Sequence, residues 1–265
     1  MNRYKKAFAK KNAFIPFAVV GDPDLKTSEQ IIRAMIDSGA DALELGVAFT
    51  DPIADGPTIQ KADDRVLRRH IKLNDIFNLI KRIRKYNNEI PIGLLTYYNI
   101  IYQRGIEKFF RDAKAAGVDG VLAADLPIEE ANDAVKAAKK AKIDPIFIVS
   151  PTTTANRLKK ILKSARGFIY VVSLLGVTGT RNKVNPAVYK LLKFVRPKTR
   201  LPLAVGFGIS KPEHVRTILS TGADGVIVGS AIVKIIEKNL GNKRKMTGGI
   251  SSYVKKMKAA TIQNP

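Results

Sequence analysis

The sequence predicts a single (β/α)8 barrel, a TIM barrel, spanning residues 1–265. Three observations carry that expectation. Eight short apolar, β-branched runs alternate with longer amphipathic stretches along the whole chain. A glycine–aspartate repeat precedes three of those runs. No glycine-rich dinucleotide fingerprint follows the first run, which ranks the closed barrel above its alternative, an open doubly wound sheet.

The runs, in order, are FIPFAVV (14–20), ALELG (42–46), IGLLT (92–96), DGVLAA (119–124), PIFIV (145–149), FIYVVS (168–173), PLAVG (202–206) and GVIVG (225–229). Each is five to seven residues long and almost wholly apolar, as parallel strands covered on both faces must be. Helix-length segments lie between them. Thr27–Gln30 and Ser210–Glu213 read as capping boxes that open two of these helices, and ISSYVKKMKAA (250–260) reads as a closing helix. The repeat appears as SGADALELG (38–46), AGVDGVLAAD (116–125) and TGADGVIVGS (221–230). Its glycine is expected to close the preceding helix in a left-handed conformation and turn the chain into the next strand. No linker, low-complexity segment or second domain is visible. The longest connections, 47–72 and 174–186, both leave the carboxyl ends of strands, where this fold builds its sites.

Composition narrows the chemistry. The chain has no cysteine, so thiolate zinc sites, cysteine nucleophiles and disulfides are excluded. No apolar run is long enough to cross a bilayer and no secretory core follows the basic amino terminus, so the expected setting is intracellular, in the cytoplasm. The formal charge is +23, with 46 Lys and Arg against 23 Asp and Glu. A charge of that size raises a nucleic-acid reading. Most basic residues, however, sit singly or in pairs within helix-like stretches, outside any stacking, helix-turn-helix or zinc-finger pattern. A solvated lysine-rich surface is the preferred account, and a basic barrel serving as a nucleic-acid scaffold is the alternative.

None of the eight runs contains lysine or histidine, which argues against a strand-borne Schiff base and a histidine-ligated metal. His70 and His214 read as surface residues. One run carries an internal charge, Glu44. Alternation sends Leu43 and Leu45 toward the helices and Glu44 into the barrel. Burial there raises a carboxyl's pKa toward neutrality, as a general acid/base requires. The competing reading is a buried structural acid satisfied by a neighbour. Asp55, in TDPIADGPTIQ (50–60), stands before Gly56-Pro57 and by itself reads as a turn residue, as does Asp51 before Pro52. Asp125 reads as a loop organiser, and Asp63 and Asp64 as a solvated helix face. A second signal is glycine-rich: GVTG (176–179), GFGIS (206–210) and GS (229–230) follow the last three strands. Their order matches the phosphate-binding type of this fold.

These residues resemble a known family. LELGVAFTDPIADGPTIQ (43–60) is similar to the signature of the tryptophan synthase alpha chain family, and the similarity continues through PIGLLTYYN (91–99), GVDGVLAADLPIEE (117–130), GVTGTR (176–181), GFGISKPEHV (206–215) and GSAIVKIIEKN (229–239). The resemblance implies a lyase that cleaves indole-3-glycerol phosphate to indole and glyceraldehyde 3-phosphate. It implies Glu44 as the acid/base and Asp55 as the partner of the indole N–H. The phosphate would rest on Gly179, Gly208, Gly229 and Ser230, and the indole among Phe17, Leu95, Leu122, Tyr170, Phe207 and Ile227. Thr178 would be a lid residue that meets the catalytic aspartate. The resemblance further implies an α2β2 assembly with a beta chain that carries pyridoxal phosphate and receives indole through a tunnel, with no cofactor in this chain. A related barrel acting on another phosphorylated substrate is the alternative among enzymes. The chain departs from the family's pattern at Ala48, Thr50, Phe168 and Leu174-Leu175.

Overall fold

The computed structural model of the chain describes residues 2–10, 12–172, 186–206 and 208–262. The chain enters through a short helix, α1 (Arg3–Ala9), before β1 (Ala13–Val19). There follow α2 (Leu25–Asp37), β2 (Leu43–Gly46), α3 (Pro57–Leu67), α4 (Leu73–Tyr86) and β3 (Ile92–Thr96). Next come α5 (Tyr98–Arg104), α6 (Ile106–Ala116), β4 (Gly120–Ala123) and α7 (Asn132–Lys140). The fifth predicted run is divided at Ile146 into β5 (Asp144–Pro145) and β6 (Phe147–Val149). The remainder is α8 (Ala155–Ser164), β7 (Ile169–Val172), α9 (Pro186–Val195), β8 (Leu203–Gly206), α10 (Pro212–Ser220), β9 (Gly225–Val228), α11 (Ser230–Lys238) and α12 (Lys243–Ala259).

Every strand pair is parallel, in the order β5-β4-β3-β2-β1-β9-β8-β7-β6. The ring joins through the break in the fifth run, where the Ile146 N–H donates to the Val121 carbonyl at 2.9 Å. This is the predicted (β/α)8 barrel. Among the described residues no helix is long and apolar enough to cross a membrane.

Strand alternation divides the core in two. Leu43, Leu45, Leu94, Val121 and Val171 face outward into the layer shared with the helices. Leu122, Ile146, Tyr170, Ala204 and Ile227 face inward. Helix α1 adds Tyr4 and Phe8 to that interior cluster and plugs the barrel's lower end. In the sequence this segment stands out only as basic; the four-residue spacing of Tyr4 and Phe8, which puts both rings on one helical face, is the signal for its packing role. Phe168, one of the departures from the family pattern, packs against these rings at 5.4 Å from Tyr4 and 5.7 Å from Phe8.

The repeat has the backbone expected of it. Gly39, Gly117 and Gly222 have φ of 97°, 97° and 93°, a region that favours glycine. Its aspartates have a role the sequence did not disclose. Each carboxylate accepts the backbone N–H of a neighbouring strand: Asp41 from Phe14 at 2.7 Å, Asp119 from Ile92 at 2.9 Å and Asp224 from Leu203 at 2.8 Å. Each is also met by a cation, respectively Lys258, the pair Arg3 and Arg84, and Arg196. One sequence device thus ties three adjacent strand pairs at the bottom of the barrel.

Two helix starts differ from expectation. Asp24 caps α2 by accepting the Thr27 N–H at 2.8 Å, so this helix begins before the expected Thr27 box. A carboxylate one turn earlier takes the capping role, and the Thr27 hydroxyl donates to the same group. Helix α10 starts at Pro212, because proline at the first helical position fixes φ and needs no acceptor; Ser210 lies outside it.

Candidate active site

The carboxyl ends of β1 to β4 and the segment leading into α3 bring the mouth residues together. Glu44 is opposite Phe17 of β1 and Gly93 of β3 in the sheet register. It is 5% exposed and accepts no hydrogen bond from the described residues. Burial, and then the charge of Asp55, push its carboxyl up to about 8. At neutral pH Glu44 therefore holds a proton, and among the described residues no side chain or backbone group bonds to it. Those residues give no support to the reading as a satisfied structural acid.

Asp55 closes a tight loop. The Ile53 N–H donates to the Asp51 carbonyl and the Asp55 N–H to the Pro52 carbonyl, both at 2.9 Å, and Gly56-Pro57 then opens α3. The turn reading of Asp51 and Asp55 is correct for the backbone, and the Asp55 side chain does something further. Its Oδ2 accepts the Tyr97 hydroxyl at 2.6 Å. Tyr97 Oη in turn accepts the Ala54 N–H at 3.1 Å, and the Tyr97 ring stacks on Phe49 at 4.9 Å. Burial pushes the Asp55 carboxyl above the usual carboxylate range, and the Tyr97 hydrogen bond offsets part of that rise. Tyr97 was missed in the sequence, since a tyrosine directly after a strand has no signature until its hydroxyl is seen on a carboxylate.

The predicted apolar pocket is assembled in part. Leu122, Tyr170 and Ile227 share the interior cluster with the partly buried Leu95. Phe17 is 5% exposed and packs in an adjoining cluster that includes Leu95 and the α3 residues Ile59, Ala62 and Val66. Glycines make room for the rings. A Cβ at Gly46 would lie 2.7 Å from the Phe17 ring, and one at Gly206 would lie 2.1 Å from the Tyr170 hydroxyl. Phe207, Thr178 and Gly179 lie outside the described residues, as do Leu174 and Leu175.

Of the predicted phosphate contacts, Gly208 has φ of 73° and is exposed just past β8. Gly229 caps the start of α11 and Ser230 is that helix's first residue, exposed at its amino end. The N–H groups of a first helical turn lack intrahelical acceptors and favour an anion. Gly229 has a second reason to be glycine, since its Cβ would stand 3.1 Å from the Phe17 ring.

Asp125 accepts the Tyr98 N–H at 2.7 Å, which makes it the loop organiser expected. Thr50 donates to Asp51 at 2.5 Å and so stiffens the loop that carries Asp55. Asp64 is exposed as predicted, but Asp63 is not: it is 4% exposed. It shares the inner face of α3 with Ile59, Ala62 and Val66, a one-turn spacing that overrides the polarity of the residue.

Comparison with known proteins agrees with this geometry. The sequence profile described as "Tryptophan synthase alpha chain" matches residues 4–262. The tryptophan synthase alpha chain of Methanoregula boonei is 54% identical over 265 residues, covering 99% of this chain and 100% of that one. Among solved structures, tryptophan synthase subunit alpha from Legionella pneumophila superposes with a TM-score of 0.91 at 34% identity, covering 98% of both chains. A chain of the tryptophan synthase α2β2 complex from Pyrococcus furiosus superposes with a TM-score of 0.88 at 41% identity, covering 94% of this chain and 98% of that one.

Proposed function

Since this chain belongs to the tryptophan synthase alpha chain family, we propose that Glu44 and Asp55 carry the family's lyase reaction here. That reaction cleaves indole-3-glycerol phosphate to indole and glyceraldehyde 3-phosphate in tryptophan biosynthesis. The observation that carries the proposal is Glu44: a carboxyl buried inside an apolar barrel mouth, its pKa pushed up by burial, with no hydrogen-bond partner among the described residues.

The chemistry follows from the two environments. Protonated Glu44 gives its proton to C3 of the indole ring, which makes that carbon a leaving group. The ring nitrogen gains positive character as this happens, and Asp55, whose carboxylate form the Tyr97 hydrogen bond favours, pairs with its N–H. The Glu44 carboxylate then removes the proton of the side-chain hydroxyl next to the scissile bond. The carbonyl of glyceraldehyde 3-phosphate forms, the carbon–carbon bond breaks, and its electrons return to the indole ring. Glu44 recovers its proton and the cycle closes. Neither an imine nor a metal is needed in this scheme.

Phe17, Leu95, Leu122, Tyr170 and Ile227 would hold the indole and keep water from Glu44. Phe207 would complete that wall. Gly208, Gly229 and Ser230 would bind the phosphate through backbone N–H groups and one hydroxyl, with Gly179 beside them and Thr178 closing over Asp55. A beta chain is the partner in this family, and the proposal extends to an α2β2 assembly in the cytoplasm whose pyridoxal phosphate resides on the beta chain. A nucleic-acid scaffold finds no support in the mouth or in the relatives.

The test is an indole assay on indole-3-glycerol phosphate, with and without a cognate beta chain. Indole release that Glu44→Gln abolishes is expected. No indole under either condition would sink the proposal.

A further inference from the structure

The last helix, α12, reaches back to the connection after β8, and the lyase chemistry gives that contact no task. Helix α12 packs along both α10 and α11, the helices that follow the last two strands. Ile250, Val254 and Met257 are buried and fix its inner face. Tyr253 stands beside them, half-buried, with its ring against the core. Its hydroxyl donates to the Ser210 carbonyl at 3.0 Å, across 43 residues of chain. The Ser210 N–H donates to His214 Nδ1, on α10, at 3.3 Å. An exposed serine is thus held at both its N–H and its C=O, by side chains of two different helices.

An exposed loop carbonyl can bond to water, so the Tyr253 tie is not required to satisfy the backbone. Its effect is geometric. Gly208, two residues earlier, has φ of 73° and is exposed, while Ile209 between them packs in the core. The segment is therefore anchored at Gly206 in β8, at Ile209 in the core and at Ser210 by the two helices. These anchors set the direction of the backbone N–H groups between them. Backbone donors bind an anion best when already aimed, because a loop that must be ordered on binding subtracts that entropy from the affinity. We propose that Tyr253 is a positioning residue for the substrate phosphate, holding the Gly208–Ser210 segment through the Ser210 carbonyl in the conformation that receives it. The inference rests on the reading of Gly208 as a phosphate contact. Helix α12 also packs on α11, which begins at Ser230 after Gly229, so one helix braces both sides of the phosphate cradle. Glu44 and Asp55 take no part in this tie, and its loss belongs to binding and not to the chemical step.

Tyr253→Phe keeps the ring and removes the hydroxyl. The two products divide the site, since glyceraldehyde 3-phosphate carries the phosphate and indole carries the ring. Titration calorimetry of the full-length chain with each product, for wild type and Tyr253→Phe, reads the two halves separately and without turnover. The Kd for glyceraldehyde 3-phosphate should rise about three- to tenfold, the loss that one neutral hydrogen bond corresponds to, while that for indole stays within about twofold. The KM for indole-3-glycerol phosphate should rise by a similar factor, with kcat within about twofold of wild type. An unchanged Kd for glyceraldehyde 3-phosphate in the variant would overturn the proposal. So would equal losses for both products, since a tie that only stabilises the barrel would shift the two alike. If wild type itself binds no glyceraldehyde 3-phosphate, the reading of Gly208 falls and the role of Tyr253 falls with it, an outcome distinct from a variant that binds like wild type.

Discussion

Replacing Tyr97 by phenylalanine removes one oxygen and leaves the rest of the mouth nearly untouched. The ring can keep its stack on Phe49, which lies 4.9 Å away at an interplanar angle of 21°. Ala54, whose N–H the hydroxyl accepts, is exposed, so water can replace that contact. What disappears is the 2.6 Å hydrogen bond to Asp55. A hydrogen bond to a charged group contributes about 1.5–3 kcal/mol, and Asp55 is only partly buried, so the lower half of that range applies. Roughly 1.5–2 kcal/mol corresponds to about a 10- to 30-fold loss of kcat/KM. The sign of the pH effect also follows. Tyr97 lowers the Asp55 pKa against the upward push of burial, so its removal lets that pKa rise. The reaction needs the Asp55 anion, and the acid limb of the kcat/KM profile should therefore move to higher pH. Indole release measured from acid to neutral pH, for wild type and Tyr97→Phe, reads both quantities. A variant within twofold of wild type with an unmoved acid limb would refute the assignment of Tyr97 and weaken that of Asp55.

Glu44→Gln should lower kcat by about 10² to 10⁴, the range for loss of a general acid/base. The same variant should be more stable than wild type at alkaline pH. The folded-state pKa of Glu44 is raised from 4.5 to about 8, so wild type loses stability as pH rises through that window and glutamine does not. A thermal melt series from pH 5 to pH 9 checks this. Asp119→Ala removes a carboxylate 8% exposed that holds Arg3, Arg84 and the Ile92 N–H. Breaking such a buried network costs about 3–5 kcal/mol, and the melting temperature should fall by roughly 10 °C, read by circular dichroism. Gly46→Ala puts a methyl 2.7 Å from the Phe17 ring and should weaken substrate binding by about tenfold through overpacking, seen as a rise in KM larger than the fall in kcat.

Much of the site was legible because a strand has a period of two. A charged residue between Leu43 and Leu45 can only face the barrel, and a barrel interior is apolar, so Glu44 followed from local pattern alone. The backbone of the Asp55 loop was equally readable, because proline and glycine fix turn geometry locally. The Asp55 side chain was not, since its partner is 42 residues away in sequence. Asp63 shows the same limit from the other side. Its polarity suggested solvent, while the spacing of Ile59, Ala62 and Val66 places it on the packed face of α3.

The alternation of eight apolar runs with helices, the left-handed glycines of the repeat and the inward direction of Glu44 are consequences of φ/ψ preference and periodicity, which act over a few residues and are written in the chain. The sequence by itself determined these. Tertiary structure alone decided how Asp41, Asp119 and Asp224 tie neighbouring strands, how Tyr4 and Phe8 plug the lower end, and how the Tyr97 hydroxyl reaches Asp55. Those outcomes depend on burial and on distances between residues remote in sequence, and a carboxylate's proton affinity is set by what surrounds it in space.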